Sequence, residues 1–557
     1  MKLKTFFKKF EMFADAPNAV AKMRDMVLEL AICGRLVSPG SPDSSDPASP
    51  FPIPQDWQWI ALDKAADCRC AAKVDSDSLK DSDWVLDLED IDGDAGKVIA
   101  AVTFAERRSL STKASFQPGD VLYGKLRPYL NKVVIADRSG FCTTEIIPLR
   151  PQAFVAAGYL RLFLRSPYFL RFAAEKNYGM KMPRLGTKDL ESSEIPLPPL
   201  AEQKRIVAKV DELMALCDRL EAQQQEREEK HKALSRASLA RFADAPTPAN
   251  LQFIFHPSYT IAPADLRKSI LTLAVQGKLV PQDPNDEPAE KILSRIAATK
   301  LRLQKTGDIV KEKPVEPLQP DSLPFDTPDS WKWAKLAELT ELITKGSSPK
   351  WQGIAYVSES EGILFITSEN VGNYVLRKLD DLKYVSKGFN EIEPRSILKR
   401  GDILMNLVGA SIGRTAVYDL HGGANINQAV ALIRLVRETD GVCPRFLLHY
   451  LNSPSAIDYM LSSRVVNAQP NISLTDAREF AVPLPPLAEQ HRIVAKVDEL
   501  MKLVDALETQ LAASRATAAN LLAAIVAELT GTPNTGKISV PASTGTGTGR
   551  RGRPPKS

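Results

Sequence analysis

A chain that carries the same 28-residue segment twice, 287 positions apart, must build two similar places around it. Residues 196–223 read PLPPLAEQKRIVAKVDELMALCDRLEAQ and residues 483–510 read PLPPLAEQHRIVAKVDELMKLVDALETQ, differing at five of 28 positions. Chance does not produce that agreement, so one half of the protein is a copy of the other. Weaker echoes follow in the same order. LAICGRLV (30–37) is matched by LAVQGKLV (273–280), and PQDWQW with Trp57 and Trp59 by PDSWKW with Trp331 and Trp333. Pro118–Asp120 is matched by Arg400–Asp402, and FLRSP ending at Pro167 by YLNSP ending at Pro454.

Each copy therefore runs from a short helix through a Trp-x-Trp motif into a body of about 140 residues, then into the near-identical segment. The bodies, 60–195 and 334–482, have diverged almost beyond comparison while their surroundings have not. A fixed frame carrying two different readers accounts for this. Plain duplication under a strict helix-packing constraint is the alternative.

The repeated segment reads as an extended lead-in followed by a long helix. Pro196, Pro198 and Pro199 cannot lie inside a helix, and Leu200 opens a run of good helix formers. Apolar residues at Ile206, Val210, Leu213, Cys217 and Leu220 alternate in steps of four and three, as a coiled-coil seam does. Ile493, Val497, Leu500, Val504 and Leu507 repeat it. The first helix can run to about Phe242, a rod of roughly 65 Å, and the second to about Leu529. Two such seams in one chain are expected to pack on each other, antiparallel. Packing of each on a separate domain is the other possibility.

Both bodies mix strand-like runs (DVLYGKL and KVVIA; DILMNLVG and AVALIRLV) with helical pattern near their ends. The loops between the runs carry side chains of the kinds that read base edges or hold phosphates. In body one these are Lys125, Arg127, Tyr129, Asn131 and Lys132, then Thr143 and Thr144, then Lys181 and Arg184. In body two they are Lys345, Ser347 and Lys350, then Asn370, then Asn427 and Gln428, then Asn471. A single loop of this sort is usually a solvated turn. Several at matching places in two copies point to DNA.

The net charge of +4 on 557 residues requires no nucleic acid, so any basic surface must be local. Six scattered cysteines and five histidines form no zinc or disulfide pattern. No methyltransferase N-P-P-[YF] motif or phosphate-binding G-x-x-x-x-G-K-[ST] loop is present. The string EDIDGDAG (89–96) has a superficial likeness to a calcium loop but lacks its glycine and final acid, and reads as a solvated turn. No apolar run is long enough to cross a bilayer and no signal peptide is evident, so a cytoplasmic location is expected.

The stretches LAVQGKLVPQDPNDEPA, GDVLYGKLRPYLNKV, Gly140–Glu145 (GFCTTE) and PLPPLAEQ-x-RIV-x-KVDELM resemble the specificity subunit of bacterial type I restriction–modification systems. The resemblance extends from about residue 20 to 530. It implies an α+β chain: two mixed α/β target recognition domains separated by two long antiparallel coiled-coil helices, with a pseudo-twofold internal repeat. It also implies a bipartite double-stranded DNA target, one domain reading each half and the helices setting the gap. No cofactor is expected on this chain. S-adenosylmethionine, ATP and Mg are expected on its partners, two modification (methylase) subunits and the ATP-dependent restriction subunits. A protein-binding assembly scaffold without sequence-specific readout is the alternative.

On this reading an N-terminal helical segment and linker occupy 1–50, the first recognition domain 51–199 and the central helix 200–243. A helical segment and linker follow at 244–322, then the second recognition domain at 323–486 and the C-terminal helix at 487–530. The tail, 531–557, is low in complexity and ends RRGRPPKS. Arg551 and Arg553 there resemble an AT-hook, which would lie in a narrow A·T minor groove. Generic phosphate attraction and a merely solubilising tail are the alternatives.

Overall fold

The structure is a computed structural model that describes Ala14 and residues 16–37, 50–179, 181–255, 260–311, 314–319, 323–436, 441–462 and 471–530. The chain divides into two compact units, 1–227 with 512–557 and 228–511. Four helices form the frame: α1 (Ala19–Ile32), α2 (Leu200–Asp244), α3 (Pro263–Val275) and α4 (Leu487–Thr530). Both divisions between units fall inside a long helix, in α2 at 227/228 and in α4 at 511/512.

Each body is closed at its neck by a two-stranded antiparallel ribbon. Gln58–Ala61 pairs with Glu194–Leu197, placing Trp59 opposite Pro196. Lys332–Lys335 pairs with Ala481–Leu484, placing Trp333 opposite Pro483. The Trp-x-Trp motif and the PLPP lead-in are thus the two sides of one ribbon. The prolines suit it because a two-stranded ribbon has free edges that need no further donor.

Beyond the neck lie two four-stranded sheets in each body. The first has the same topology in both. Its order is Ala66–Asp67, Ile146–Pro151, Val121–Gly124, Val133–Ile135 in body one and Thr340–Lys345, Val430–Leu435, Ile403–Asn406, Thr415–Val417 in body two, all antiparallel. This sheet is a middle layer. Val121, Tyr123 and Leu149 face a core shared with α1 and α2, while Leu122, Val134 and Ile146 face the second sheet. Burial on both sides explains the near-continuous apolar runs VLYG, ILMN and VALIRL, in which the buried Arg434 is paired with Asp402.

The second sheet is where the copies differ. Both keep a parallel pair, Val85–Leu86 with Gly140–Thr143 in body one and Gly362–Ile366 with Ala424–Ile426 in body two. In body one the next strand, Lys113–Phe116, adds to the later member of that pair. In body two Lys383–Ser386 adds to the earlier member. The string EDIDGDAG forms a tight hairpin between Ile91–Asp92 and Lys97–Val98, its Asp92 carboxylate accepting from the Asp94 and Ala95 amides.

The sequence echoes mark contacts repeated in each unit. Gly34 and Gly277 both have φ of +70° and end a short helix, where the next amide (Arg35, Lys278) returns to the carbonyl five residues back (Leu30, Leu273) at 3.0 Å. A Cβ on either would fall 2.4 or 2.6 Å from the Cγ of Pro54 or Pro328, so only glycine fits. Arg24 donates to Asp218 and Glu221, each at 2.7 Å, as Arg267 does to Asp505 and Glu508 at 2.7 and 2.6 Å. The Trp57 and Trp331 indoles donate to Glu202 and Glu489 at 3.3 and 3.0 Å. Asp120 and Asp402 cap their own turns and accept a forked pair of bonds from Arg150 and Arg434 on the neighbouring strand.

Gln203 and Gln490, both fully buried, hold the necks closed. The Gln203 side chain accepts from the Ala156 amide at 2.8 Å and donates to the carbonyls of Phe154 and Pro198 at 3.0 and 2.8 Å. Gln490 accepts from Cys443 at 2.7 Å and donates to Gly441 and Pro485 at 3.3 and 3.0 Å.

The seams find partners other than each other. Ile206, Val210 and Leu213, with partly buried Leu220, belong to the core of the first unit, among α1, body one and Leu522 near the end of α4. Ile493, Val497 and Leu500, with partly buried Leu507, belong to a core of the second unit, among α3, Trp331, Phe446 and Phe242 near the end of α2. The expectation that the seams bury one another is corrected accordingly. In each copy the seam shares its core with the short helix and Trp of its own frame and with the last turns of the other long helix.

Replacing Gln203 by Ala is expected to cost about 3 kcal/mol, because three backbone groups lose their partner in a site that cannot readily admit water. Gln490→Ala should cost a similar amount. Denaturant unfolding followed by tryptophan fluorescence checks this. Gln→Glu at either position should also destabilise, since both donated hydrogen bonds are lost and a charge is buried.

Candidate nucleic-acid interface

Three loops that are far apart in the sequence of body one meet beyond the end of strand Val121–Gly124. The Lys125 amide donates to the Glu145 carbonyl at 2.9 Å and the Lys125 carbonyl accepts from Leu185 at 3.0 Å. Arg127 donates to the Pro183 carbonyl at 2.7 Å. The Arg184 guanidinium forks onto Glu145 at 3.1 and 3.3 Å, and that hydrogen-bonded carboxylate raises its pKa further. The segments 125–132 and 143–145, with 178–179 and 181–185, thus form one basic rim.

Within it, Arg127, Tyr129, Thr144 and Lys181 are exposed and Lys125 and Arg184 half-buried. Arg127 has φ of +51° and Asn131 +52°, with a short 3-10 turn, Pro128–Leu130, between them. A left-handed conformation is costly for arginine, on the order of 1 kcal/mol or more, and it persists because flanking bonds fix it.

Other predicted contacts serve the scaffold. Lys132 donates its ammonium to the Leu88 carbonyl at 2.5 Å, and Asn131 its amide to Arg165 at 3.3 Å. The Thr143 hydroxyl is buried and finds no hydrogen-bond partner among the described residues. Arg165 and Arg161 donate to the carbonyls of Asp94 and Gly96 and so pin the 91–98 hairpin. Burial, then the neighbouring Arg161 charge, pushes the Arg165 pKa down to about 10.

Body two assembles the counterpart. The Leu407 amide donates to Ala429 and its carbonyl accepts from Ile472, both at 2.9 Å. The Asn427 amide donates to Ile366 at 3.1 Å, and Gly346 lies so close to the Ile426 carbonyl that no side chain would fit. The loops starting at Lys345, Leu407, Asn427 and Asn471 are therefore neighbours. Lys345, Lys350 and Asn471 are exposed, and Ser347, Asn427 and Gln428 half-buried.

Asn370 departs from expectation. It is 2% exposed, and its side chain accepts from the Thr367 amide and hydroxyl at 3.0 and 2.9 Å, so it caps a turn and is withdrawn from any surface. The Asn427 carbonyl oxygen is likewise engaged, by the Ala429 amide at 3.1 Å. Arg551 and Arg553 lie outside the described residues.

Residues missed by the sequence reading include Tyr178, 59% exposed, and Met182, 45% exposed. Tyr178 joins the rim by exchanging backbone bonds with Arg184 at 3.0 and 2.9 Å. The only available signal was an aromatic among methionines in a glycine-containing loop.

Each body thus presents a cluster of cations, hydroxyls and amides on a fixed backbone. The family described as the type I restriction modification DNA specificity domain matches residues 110–229 and 328–514, together more than half of the chain. The chain belongs to this family. Its role is DNA sequence recognition in a type I restriction–modification system.

The chain is 29% identical over 547 residues to the EcoAI specificity subunit of Escherichia coli, covering 88% of this chain and 90% of that protein. It is 28% identical over 568 residues to the EcoEI specificity subunit of Escherichia coli, covering 91% and 93%. A chain from a structural study of complex assembly and conformational transition in a type I system shares the fold, with a TM-score of 0.51 and 22% identity over 86% of this chain and 99% of that one. The family match takes in both long-helix starts and the loop clusters of both bodies.

Arg127→Ala is expected to weaken DNA binding by the subunit's complex with little change in stability, and to lower the salt dependence if Arg127 holds a phosphate. Lys132→Met should instead lower stability by about 1 kcal/mol, because the Leu88 carbonyl loses one of its two donors and keeps only the Ile91 amide. Salt-dependent affinities and melting curves of the two variants separate these outcomes.

Proposed function

We propose that the specificity subunit reads a split double-stranded DNA target, one body to each half, and that α2 and α4 run antiparallel as the ruler between them. The observation that carries this is the duplication of the frame: the Trp–Glu, Arg–Asp/Glu and glutamine contacts recur in both units around bodies whose second sheets differ. Support for the ruler comes from the cores, since each contains the start of one long helix and the end of the other. A pseudo-twofold frame of this kind would offer two equivalent docking surfaces to two identical modification subunits.

On this proposal catalysis lies entirely with the partners. The modification subunits bind S-adenosylmethionine and methylate adenine, and the restriction subunits use ATP and Mg to translocate and cut. This chain holds no cofactor. Among the described residues no helix is long and apolar enough to cross a membrane, and the reading places the complex in the bacterial cytoplasm. The tail, through Arg551 and Arg553, would add A·T minor-groove contacts outside the target.

Methylation-aware sequencing of cells carrying this subunit and its methylase alone is the test. The expected result is a two-part motif with modified adenine in both halves. Inserting four residues, about one helical turn, within 206–240 together with its counterpart in α4 should change the gap and leave both half-sites intact. A complex that forms but yields no split motif, and no footprint, would show the bodies to be protein-binding scaffolds.

A further inference from the structure

The rim of body one carries an apolar projection beside its cations. Tyr129 is 64% exposed and Leu130 41%, side by side on the turn Pro128–Leu130. Such residues on a flexible loop would fold back onto the surface, but this turn is held out. Proline fixes one dihedral at its start, and left-handed Arg127 and Asn131 bracket it. Asn131 anchors it to Arg165, and Gly93 packs against the Leu130 carbonyl so closely that a Cβ would fall 1.8 Å from that oxygen. Cationic Lys125, Arg127 and Lys181 surround the projection, which marks its partner as a polyanion rather than another protein's apolar face.

The equivalent turn in body two is Gly409–Ser411. It occupies the same place, since the bridge from Val408 to Asn471 is the counterpart of that from Leu126 to Arg184. Gly-Ala-Ser presents no side chain larger than a hydroxymethyl group.

We propose that Tyr129 and Leu130 form a wedge that enters a base step of the half-site read by body one and partly unstacks it; the exposed aromatic of body two, Trp351, stands on a different turn, Pro349–Gln352. The inference rests on the proposed reading of DNA by the two bodies. A wedge of this kind favours steps that unstack at low cost, so the step beneath it is a flexible pyrimidine–purine step, TA or CA/TG. Specificity at that step comes from deformability and needs no hydrogen bond to a base edge.

The test uses the subunit assembled with its methylase on a duplex containing the mapped motif. 2-Aminopurine, whose fluorescence rises on unstacking, is placed in turn at each purine of both half-sites and their flanks, the methylated adenines excepted. A several-fold rise at one step of the first half-site is expected. Tyr129→Ala with Leu130→Ala should abolish that rise, weaken binding by about tenfold and relax the base preference at that step alone. Both side chains are exposed, and a melting curve matching wild type verifies that the variant folds. A clear footprint with no rise at any position of the first half-site, or a rise that persists in the double variant, overturns the wedge while leaving the two-body reading intact. Absence of any footprint overturns both.

Discussion

The rest of the molecule hangs on one buried side-chain amide, used twice. Gln203 and Gln490 lie in the first turn of the long helices, where amides lack intrahelical partners, and their side chains reach back to the lead-in and across to the segment closing each body. The amide supplies one acceptor and two donors to three backbone groups, which no other residue of that size and charge can do. It joins the neck ribbon, the end of the body and the start of the rod into one rigid corner. The angle at which a body leaves its helix is therefore fixed by hydrogen bonds rather than by a hinge. The adjacent glutamates, held on Trp57 and Trp331, lock the same corner from its other side.

That corner explains why similarity along the chain is so uneven. Residues of the first sheet are packed between the frame and the second sheet, so their volumes and pairing are constrained on both faces. The outer sheet packs on the far face of the first, and there the strand pairing itself has changed between copies while the parallel pair survived. Freedom to diverge grows with the number of layers separating a residue from the long helix. The rim loops stand at the far end of that gradient.

Much of this was legible in the sequence. The proline pairs dictate where Leu200 and Leu487 begin their helices, because a proline further in would break the ladder. The 3–4 spacing gave the buried face, Ile206 to Leu213 and Ile493 to Leu500, without naming what buries it. Periodicity reports that a side chain is covered and is silent on the cover. The same limit explains Asn370 and Lys132, whose residue types suit DNA equally well but whose partners, Thr367 and Leu88, are supplied by the fold. Polar residues in turns are ambiguous until the nearest unpaired backbone group is known. That the loops at 125, 145 and 184 converge was likewise hidden, since the backbone bonds joining them leave no pattern in the residues that make them.

The two rims share a backbone plan and differ in chemistry. Body one offers Lys125, Arg127, Lys181 and Arg184 with Tyr129 and Tyr178 nearby, whereas body two offers fewer cations, Lys345 and Lys350, beside Trp351 and hydroxyl- and amide-bearing Ser347, Gln428 and Asn471. A small net charge over the whole chain hides this unevenness. Cations on a rim attract phosphates at long range and without regard to sequence, while amides discriminate only at hydrogen-bonding distance. On the proposed two-part reading, a recognition element divided in this manner would engage DNA first through one body and test it with the other. Within each unit, the corner at Gln203 or Gln490 holds its body against the start of its own long helix.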